Sequence, residues 1–156
     1  MVPDTEKFAA VRNLNFFRNF SDADLWQALN IAAWHRVAPQ TEMIKEGDTG
    51  TSFYVLTAGE VKVTRDGRLL NVLRAGECFG EMAWLSRRQS PRSASVISLG
   101  EASAIGIKPE SLEAAPETCR RQFTDAFLEL LVDRLEGADA RIAQLIRERT
   151  QAPTPA

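Results

Sequence analysis

The sequence is poor in the residues that enzymes use for metal and nucleophilic chemistry. It contains one histidine, His35, and two cysteines, Cys78 and Cys119, which do not form a Cys-x-x-Cys pair. A metal-dependent β-barrel enzyme needs a cluster of His and Glu ligands. A cysteine nucleophile needs a neighbouring base, and no second histidine is present to assist Cys78. We therefore predict that the chain is not an enzyme, binds no metal and has no catalytic residues.

Charge and hydropathy exclude further classes of protein. The chain has 19 basic and 21 acidic residues, a formal net charge of −2. It therefore has no overall basic field for nucleic acid or an anionic membrane. No apolar run approaches the roughly 20 residues that cross a bilayer, and the N-terminus lacks a signal-peptide pattern. We expect a cytoplasmic protein with free thiols that binds no nucleic acid and has no membrane segment.

The order of patterns along the chain predicts a mainly β fold with flanking helices. We expect a helical lead-in over 1–33, a β region over 34–108, helices over 109–149 and a disordered tail over 150–156. In the lead-in, Ser21 is a good N-cap, and Leu25, Trp26, Leu29 and Ile31 offer an apolar face. Turn signals in the β region recur about every 8–12 residues, which is typical of a barrel or sandwich.

For one turn in the β region, the sequence predicts the turn type. Asp66-Gly67 separates two β-prone runs, and an Asp-Gly pair favours a type I′ hairpin because glycine accepts a positive φ. Val61 and Val63 alternate with polar residues before this turn, so that strand should have one inward face.

After Pro116 the apolar residues recur at spacings of four and three, which predicts a long helix with a narrow apolar stripe. From Leu131 the spacing is heptad-like, although Gly137 costs about 1 kcal/mol in a helix interior. The stripe is equally compatible with packing on the chain's own barrel and with a homodimer. Its members are Phe123, Phe127, Leu131, Leu135, Ala138, Ile142 and Leu145.

The most specific pattern lies within residues 76–96. Gly80 allows close backbone approach, and the residues after it can open a short helix whose free N–H groups point at an anion. Arg92 adds a planar guanidinium that suits phosphate oxygens. Glu81 would repel phosphate, so it fits only as an acceptor for neutral hydroxyls such as those of ribose. The combination indicates a nucleotide ligand.

Two segments, Phe79-Gly80-Glu81-Met82-Ala83 and Pro91-Arg92-Ser93-Ala94-Ser95, resemble the phosphate-binding cassette of the cyclic nucleotide-binding domain family. That family includes catabolite-activator-type regulators, kinase regulatory subunits and nucleotide-gated channels. The resemblance extends over about 14–135. It implies a jelly-roll-like β-roll, or double-stranded β-helix, with N-terminal helices and a long C-terminal helix that moves when cAMP or cGMP binds.

The resemblance also implies the ligand-binding residues. Glu81 would contact the ribose and Arg92 the phosphate, and no cofactor besides the nucleotide is implied. The full set of expected ligand-binding residues is Phe79, Gly80, Glu81, Met82, Ala83, Arg92, Ser93 and Ala94.

Two features depart from the family pattern. The connection over 82–90 is longer than usual, and Ser93 has a hydroxyl that could meet a phosphate or a guanine edge. The preference between cAMP and cGMP is therefore open.

Two functional hypotheses remain. In the first, the chain is a nucleotide-sensing domain that regulates a fused or separate effector. In the second, it is a structural or dimerisation module with the same fold and an unused pocket. A transcription factor would need a helix-turn-helix with basic recognition residues, and too few residues follow the long helix for one on this chain.

Overall fold

The computed structural model describes residues 4–86 and 90–151, except for the side chains of Ala83 and Trp84. The lead-in contains helix α1 (Asp4–Arg12), a 3-10 turn (Asn15–Phe17) and helix α2 (Asp22–Ile31). Helix α3 (Glu81–Leu85) interrupts the strands, and helices α4 (Pro109–Glu113) and α5 (Glu117–Gln151) follow them. The strands are β1 (Ala32–Val37), β2 (Glu42–Ile44), β3 (Phe53–Ala58), β4 (Glu60–Arg65), β5 (Arg68–Arg74), β6 (Cys78–Phe79), β7 (Ser95–Ser98) and β8 (Ala102–Ile107).

The eight strands form two antiparallel sheets of four. Their orders are β1-β8-β3-β6 and β2-β7-β4-β5, so strands that are distant in sequence become neighbours in both sheets. An apolar core lies between the sheets. The first sheet contributes Leu56, Phe79, Ala102 and Ala104, and the second contributes Ile44, Val61, Leu73 and Val96. The expected mainly β, jelly-roll-like fold with flanking helices is confirmed.

The hairpin prediction at Asp66-Gly67 is also confirmed. Strands β4 and β5 pair up to Arg65 opposite Arg68, which leaves a two-residue loop. Asp66 and Gly67 have φ values of 52° and 75°, the positive pair that a type I′ turn requires.

Helix α2 begins as the sequence predicts, but one residue of its predicted apolar face, Trp26, lies near the surface. The Ser21 hydroxyl accepts a hydrogen bond from the Asp24 backbone N–H at 3.1 Å. Leu25 and Ala28 are buried, whereas Trp26 is 37% exposed and stacks on Phe8 with ring centroids 4.5 Å apart. The expectation that Trp26 belongs to the buried face is wrong, because a neighbouring helix offers it an aromatic partner near the surface.

The chain divides into two compact units between Gln122 and Phe123. In the first unit, the start of α5 is fastened to α2: the Thr118 hydroxyl donates to the Asp24 carboxylate at 3.0 Å, and the Cys119 thiol donates to the Asp24 carbonyl oxygen at 3.7 Å. A tertiary acceptor role for Asp24 is not visible in the sequence, where it looks like an ordinary helix-start carboxylate.

The second unit is the remainder of α5. Every described residue after Leu131 is exposed, including the apolar residues of the heptad-like stripe. The helix continues through Gly137 to Gln151, so residues 150 and 151 are helical rather than part of a tail, and residues 152–156 lie outside the described residues. No helix within the described ranges is long and apolar enough to cross a membrane.

Candidate functional site

Gly80 marks the turn from strand to helix in the segment that the sequence singles out. It follows β6 and is the N-cap of α3, with φ at 82° in the left-handed region. A Cβ atom there would lie 2.9 Å from Ile44 Cδ1 and 3.0 Å from the Ser52 carbonyl oxygen. Glycine is therefore needed for its backbone angle and for the close approach of two neighbouring segments.

Arg92 is held against this turn by backbone carbonyl groups. Its guanidinium donates to the Gly80 carbonyl oxygen at 2.9 Å and to the Ser52 carbonyl oxygen. Its backbone N–H donates to the Asp48 carbonyl oxygen at 2.7 Å, and its own carbonyl oxygen accepts from the Gly47 N–H at 2.8 Å. Four backbone contacts thus fix both ends of the residue and set the direction of the guanidinium.

The site is a mostly buried cation surrounded by acidic groups. Arg92 is only 9% exposed, and this burial lowers the pKa of its guanidinium, while Tyr54, Glu81 and Asp48 act in the opposite direction. An arginine keeps its proton at neutral pH even so. The guanidinium therefore carries a fixed positive charge out of bulk water, where an anion gains more from it than at the surface.

Glu81 lies at the same site. It is the first residue of α3 and is 1% exposed, and its charge acts on the Arg92 guanidinium. A carboxylate accepts hydrogen bonds, whereas a guanidinium only donates them. Together they can hold a ligand that has an anionic group beside neutral hydroxyls.

The other expected ligand-binding residues have varied environments. Phe79 is buried and stacks on Tyr54, Met82 is 54% exposed, Ser93 is exposed and Ala94 is half-buried. Ala83 lies within α3, and its side chain is outside the described residues. The structure brings Gly80, Glu81 and Arg92 together. Ligand contact by the whole set stays a prediction.

Sequence reasoning missed the groups that orient Arg92. The carbonyl groups of Ser52 and Asp48 belong to the 47–52 loop, and Gly50 of the same loop lies beside the guanidinium, where a Cβ atom would be in van der Waals contact with Nη2 at 3.4 Å. Backbone acceptors leave no residue-type signature. The only available signal was the pair of turn glycines in that loop, which marked a turn but not its target.

Known proteins with similar sequences agree with this fold. The family model described as "Cyclic nucleotide-binding domain" matches residues 34–118. A cGMP-dependent protein kinase from Toxoplasma gondii is 32% identical over 101 residues, which is 65% of this chain and 10% of the kinase. A cAMP-dependent protein kinase type II regulatory subunit from Drosophila melanogaster is 32% identical over 87 residues, 56% of this chain and 22% of the subunit. The chain thus spans a small part of these relatives.

Solved structures show the same fold. A cyclic nucleotide-binding domain from Methylobacillus flagellatus superposes with a TM-score of 0.76 at 20% identity, covering 89% of this chain and 84% of that one. The catabolite activator protein of Thermus thermophilus gives a TM-score of 0.70 at 26% identity, covering 84% and 62% respectively.

Proposed function

The chain belongs to the cyclic nucleotide-binding domain family, and from this premise we propose that it is a receptor for cAMP or cGMP that regulates an effector through its C-terminal helix. The family is a regulatory, ligand-binding one rather than a catalytic one. The effector is either fused to this domain in a longer polypeptide or a separate protein, and the cytoplasm, where cyclic nucleotides act, is the proposed location.

One observation carries the proposal: Arg92 and Glu81 are both mostly buried at the same turn. Burying a charged group is costly unless something compensates for it. Arg92 uses two side-chain N–H groups on backbone carbonyls, and within the described parts of the chain it has no carboxylate in direct ion-pair contact. A site built to pair Arg92 with Glu81 alone would bring the two into contact, whereas this one leaves donors for a phosphate.

We assign the ligand contacts accordingly. Arg92 pairs with the cyclic phosphate, and Glu81 accepts hydrogen bonds from the ribose hydroxyl. The surrounding contacts come from the two cassette segments, with Ser93 close enough in sequence to influence the choice of base. The complete proposed set is Phe79, Gly80, Glu81, Met82, Ala83, Arg92, Ser93 and Ala94.

The proposed output is a movement of α5. This helix begins in the first unit, where Thr118 and Cys119 contact Asp24, and continues into the second unit. A ligand that favours one of two helix positions shifts the population toward it. Hydrogen exchange over 120–145 should change at saturating ligand, and an exchange pattern that ignores the ligand would overturn the coupling.

Homodimerisation through α5 is a second element of the proposal. Leu135, Ile142 and Leu145 are exposed and lie along one heptad-like stripe. Pairing two such stripes would remove them from water. Sedimentation analysis should give a dimer that Ile142→Lys converts to monomer, while Arg147→Lys, a change at an exposed position on the same helix, should leave it intact. A wild-type monomer would exclude this element.

The experiment that tests the receptor function removes the guanidinium. Arg92→Ala should weaken cyclic nucleotide binding roughly ten- to a hundred-fold, because a charge-assisted hydrogen bond is worth about 1.5–3 kcal/mol. Arg68→Ala, at an exposed position in β5, is the matched control and should bind normally. Circular dichroism establishes that both variants are folded. Unchanged binding by folded Arg92→Ala would show that this arginine does not hold the phosphate.

The alternative is a structural module with the same fold and an unused pocket. Calorimetry distinguishes it directly, because such a module would bind neither cAMP nor cGMP at millimolar concentration. The buried Arg92 and Glu81 favour the receptor, since an unused pocket has no need of two buried charged groups.

A further inference from the structure

Tyr54 is the single tyrosine of the chain and lies in β3, inside the space between the two sheets. It is paired in register with Phe79 of β6 on one side and with Gly106 of β8 on the other. Its ring stacks on Phe79, with centroids 5.3 Å apart and planes 19° from parallel. Phe79 directly precedes Gly80, whose carbonyl oxygen accepts a hydrogen bond from Arg92. The tyrosine ring therefore stacks on the residue that directly precedes one of the anchors of the guanidinium.

The position of the ring is fixed on its other side by Gly106. A Cβ atom at Gly106 would lie 2.9 Å from Tyr54 Cε1 and 2.8 Å from His35 Nε2. His35 contacts the tyrosine edge to face, with centroids 5.7 Å apart. Phe79 stacks on one side of the Tyr54 ring, and His35 contacts it where Gly106 has no side chain. Packing therefore sets the direction of the Tyr54 hydroxyl.

The surroundings of the Tyr54 hydroxyl leave it available to a ligand. Tyr54 is half-buried, and its hydroxyl makes no hydrogen bond with any residue in the described ranges. The Ser52 carbonyl oxygen, two residues before Tyr54, accepts a hydrogen bond from the Arg92 guanidinium, so the start of β3 lies against that group. Tyr54 is also among the groups that act to raise the pKa of the Arg92 guanidinium, in agreement with a phenol close to it. No buried side-chain oxygen or nitrogen of the described residues lacks a partner, so the Tyr54 hydroxyl is not sealed in the core, and a ligand can take the place of water as its hydrogen-bond partner.

We propose that the Tyr54 hydroxyl donates a hydrogen bond to a phosphate oxygen of the cyclic nucleotide that Arg92 neutralises. This rests on the proposed receptor function and adds a neutral donor to it. Arg92 is already committed to two backbone carbonyls, so it approaches the phosphate from one fixed direction. A donor from a different strand would engage another oxygen and make binding selective for the configuration at phosphorus.

The test compares wild type with Tyr54→Phe, which keeps the stacked ring and removes only the oxygen. Affinity for cAMP should fall roughly tenfold, the lower end of the range for a hydrogen bond to a charged acceptor. The matched control is Thr57→Val, which removes a hydroxyl of the same strand that pairs with Ser103 at 3.1 Å. That variant should bind cAMP as wild type does.

Two phosphorothioate analogues of cAMP, the Rp and Sp isomers, make the test specific for phosphate. Each replaces one exocyclic oxygen with sulfur, a weaker acceptor. Wild type should discriminate between the isomers, and Tyr54→Phe should change their affinity ratio severalfold. An equal loss for cAMP and both analogues would overturn the phosphate contact, because it would show only a change in the shape of the pocket.

Since the chain has one tyrosine, its ¹³Cζ resonance in labelled wild-type protein reports on this hydroxyl alone. The resonance should move on saturation with cAMP. Binding of cAMP by wild type without that movement, or with full affinity in Tyr54→Phe, would overturn the inference and leave the receptor function intact. No binding by wild type at all would overturn both.

Discussion

Replacing Gly80 with alanine perturbs the turn on which the candidate site is built. The alanine backbone must keep a φ near 82°, and its Cβ would lie 2.9 Å from Ile44 Cδ1, 3.0 Å from the Ser52 carbonyl oxygen and 3.1 Å from Arg92 Nη1. The Ile44 methyl can rotate away. The Arg92 guanidinium donates a hydrogen bond to the Ser52 carbonyl oxygen, so moving either group disturbs the anchored guanidinium.

The loss of stability expected for Gly80→Ala has two parts. A left-handed conformation costs a non-glycine residue roughly 1–2 kcal/mol. Overpacking against fixed neighbours costs about 1–3 kcal/mol more. We therefore expect Gly80→Ala to lower the free energy of unfolding by about 2–5 kcal/mol and to weaken cyclic nucleotide binding at least tenfold, because the guanidinium moves with its anchors.

Gly67 provides a matched control. Its φ is 75°, and a Cβ atom there would meet nothing within 4 Å. Gly67→Ala should lose only the conformational part, about 1–2 kcal/mol, and should bind ligand normally. Urea denaturation measures the stabilities and titration calorimetry the affinities. Equal stability losses in the two variants, with normal binding by Gly80→Ala, would refute the role assigned to this close approach.

Two further predictions concern the start of α5. Burial, and secondarily Asp24, raises the pKa of the Cys119 thiol from 9.0 to about 11. Because the thiol binds its proton more tightly in the folded state, this effect stabilises the folded state fully below pH 9 and is lost as pH rises through 11. In urea denaturation, the free energy of unfolding of wild type should therefore fall by about 2–3 kcal/mol more than that of Cys119→Ala between pH 9 and pH 11. Parallel pH profiles of the two proteins would contradict this. Thr118→Val removes the donor to Asp24 and should cost about 1 kcal/mol, with Thr5→Val at an exposed position of α1 as control. Equal stability of the two variants would count against the contact.

The fold was predictable wherever a local preference determines the structure. Ser21 caps its helix and Asp66-Gly67 forms its turn, because each needs only its own backbone. Trp26 was misplaced because its environment depends on α1, a separate helix. The buried role of Asp24 was missed for the same reason, since its partner Thr118 is 94 residues away.

In the candidate site, too, locally determined features were predictable and features set by distant partners were not. Gly80, Glu81 and Arg92 were found from their residue types, which are unusual together. Ser52, Asp48 and Tyr54 were not assigned to the site, because two of them act through backbone carbonyls and Tyr54 reads as an ordinary strand residue. The pairing of β3 with β6 brings Tyr54 to the site, and strand order across a jelly roll does not follow from local pattern.

Titration calorimetry of the wild-type protein with cAMP, cGMP and 5′-AMP tests the central claim most directly. If the buried guanidinium holds the phosphate and the buried carboxylate holds the ribose, the site should accept the singly charged cyclic phosphate and bind the doubly charged, open 5′-phosphate at least tenfold more weakly. Equal binding of 5′-AMP and the cyclic nucleotides, or no heat from any of the three, would contradict the account.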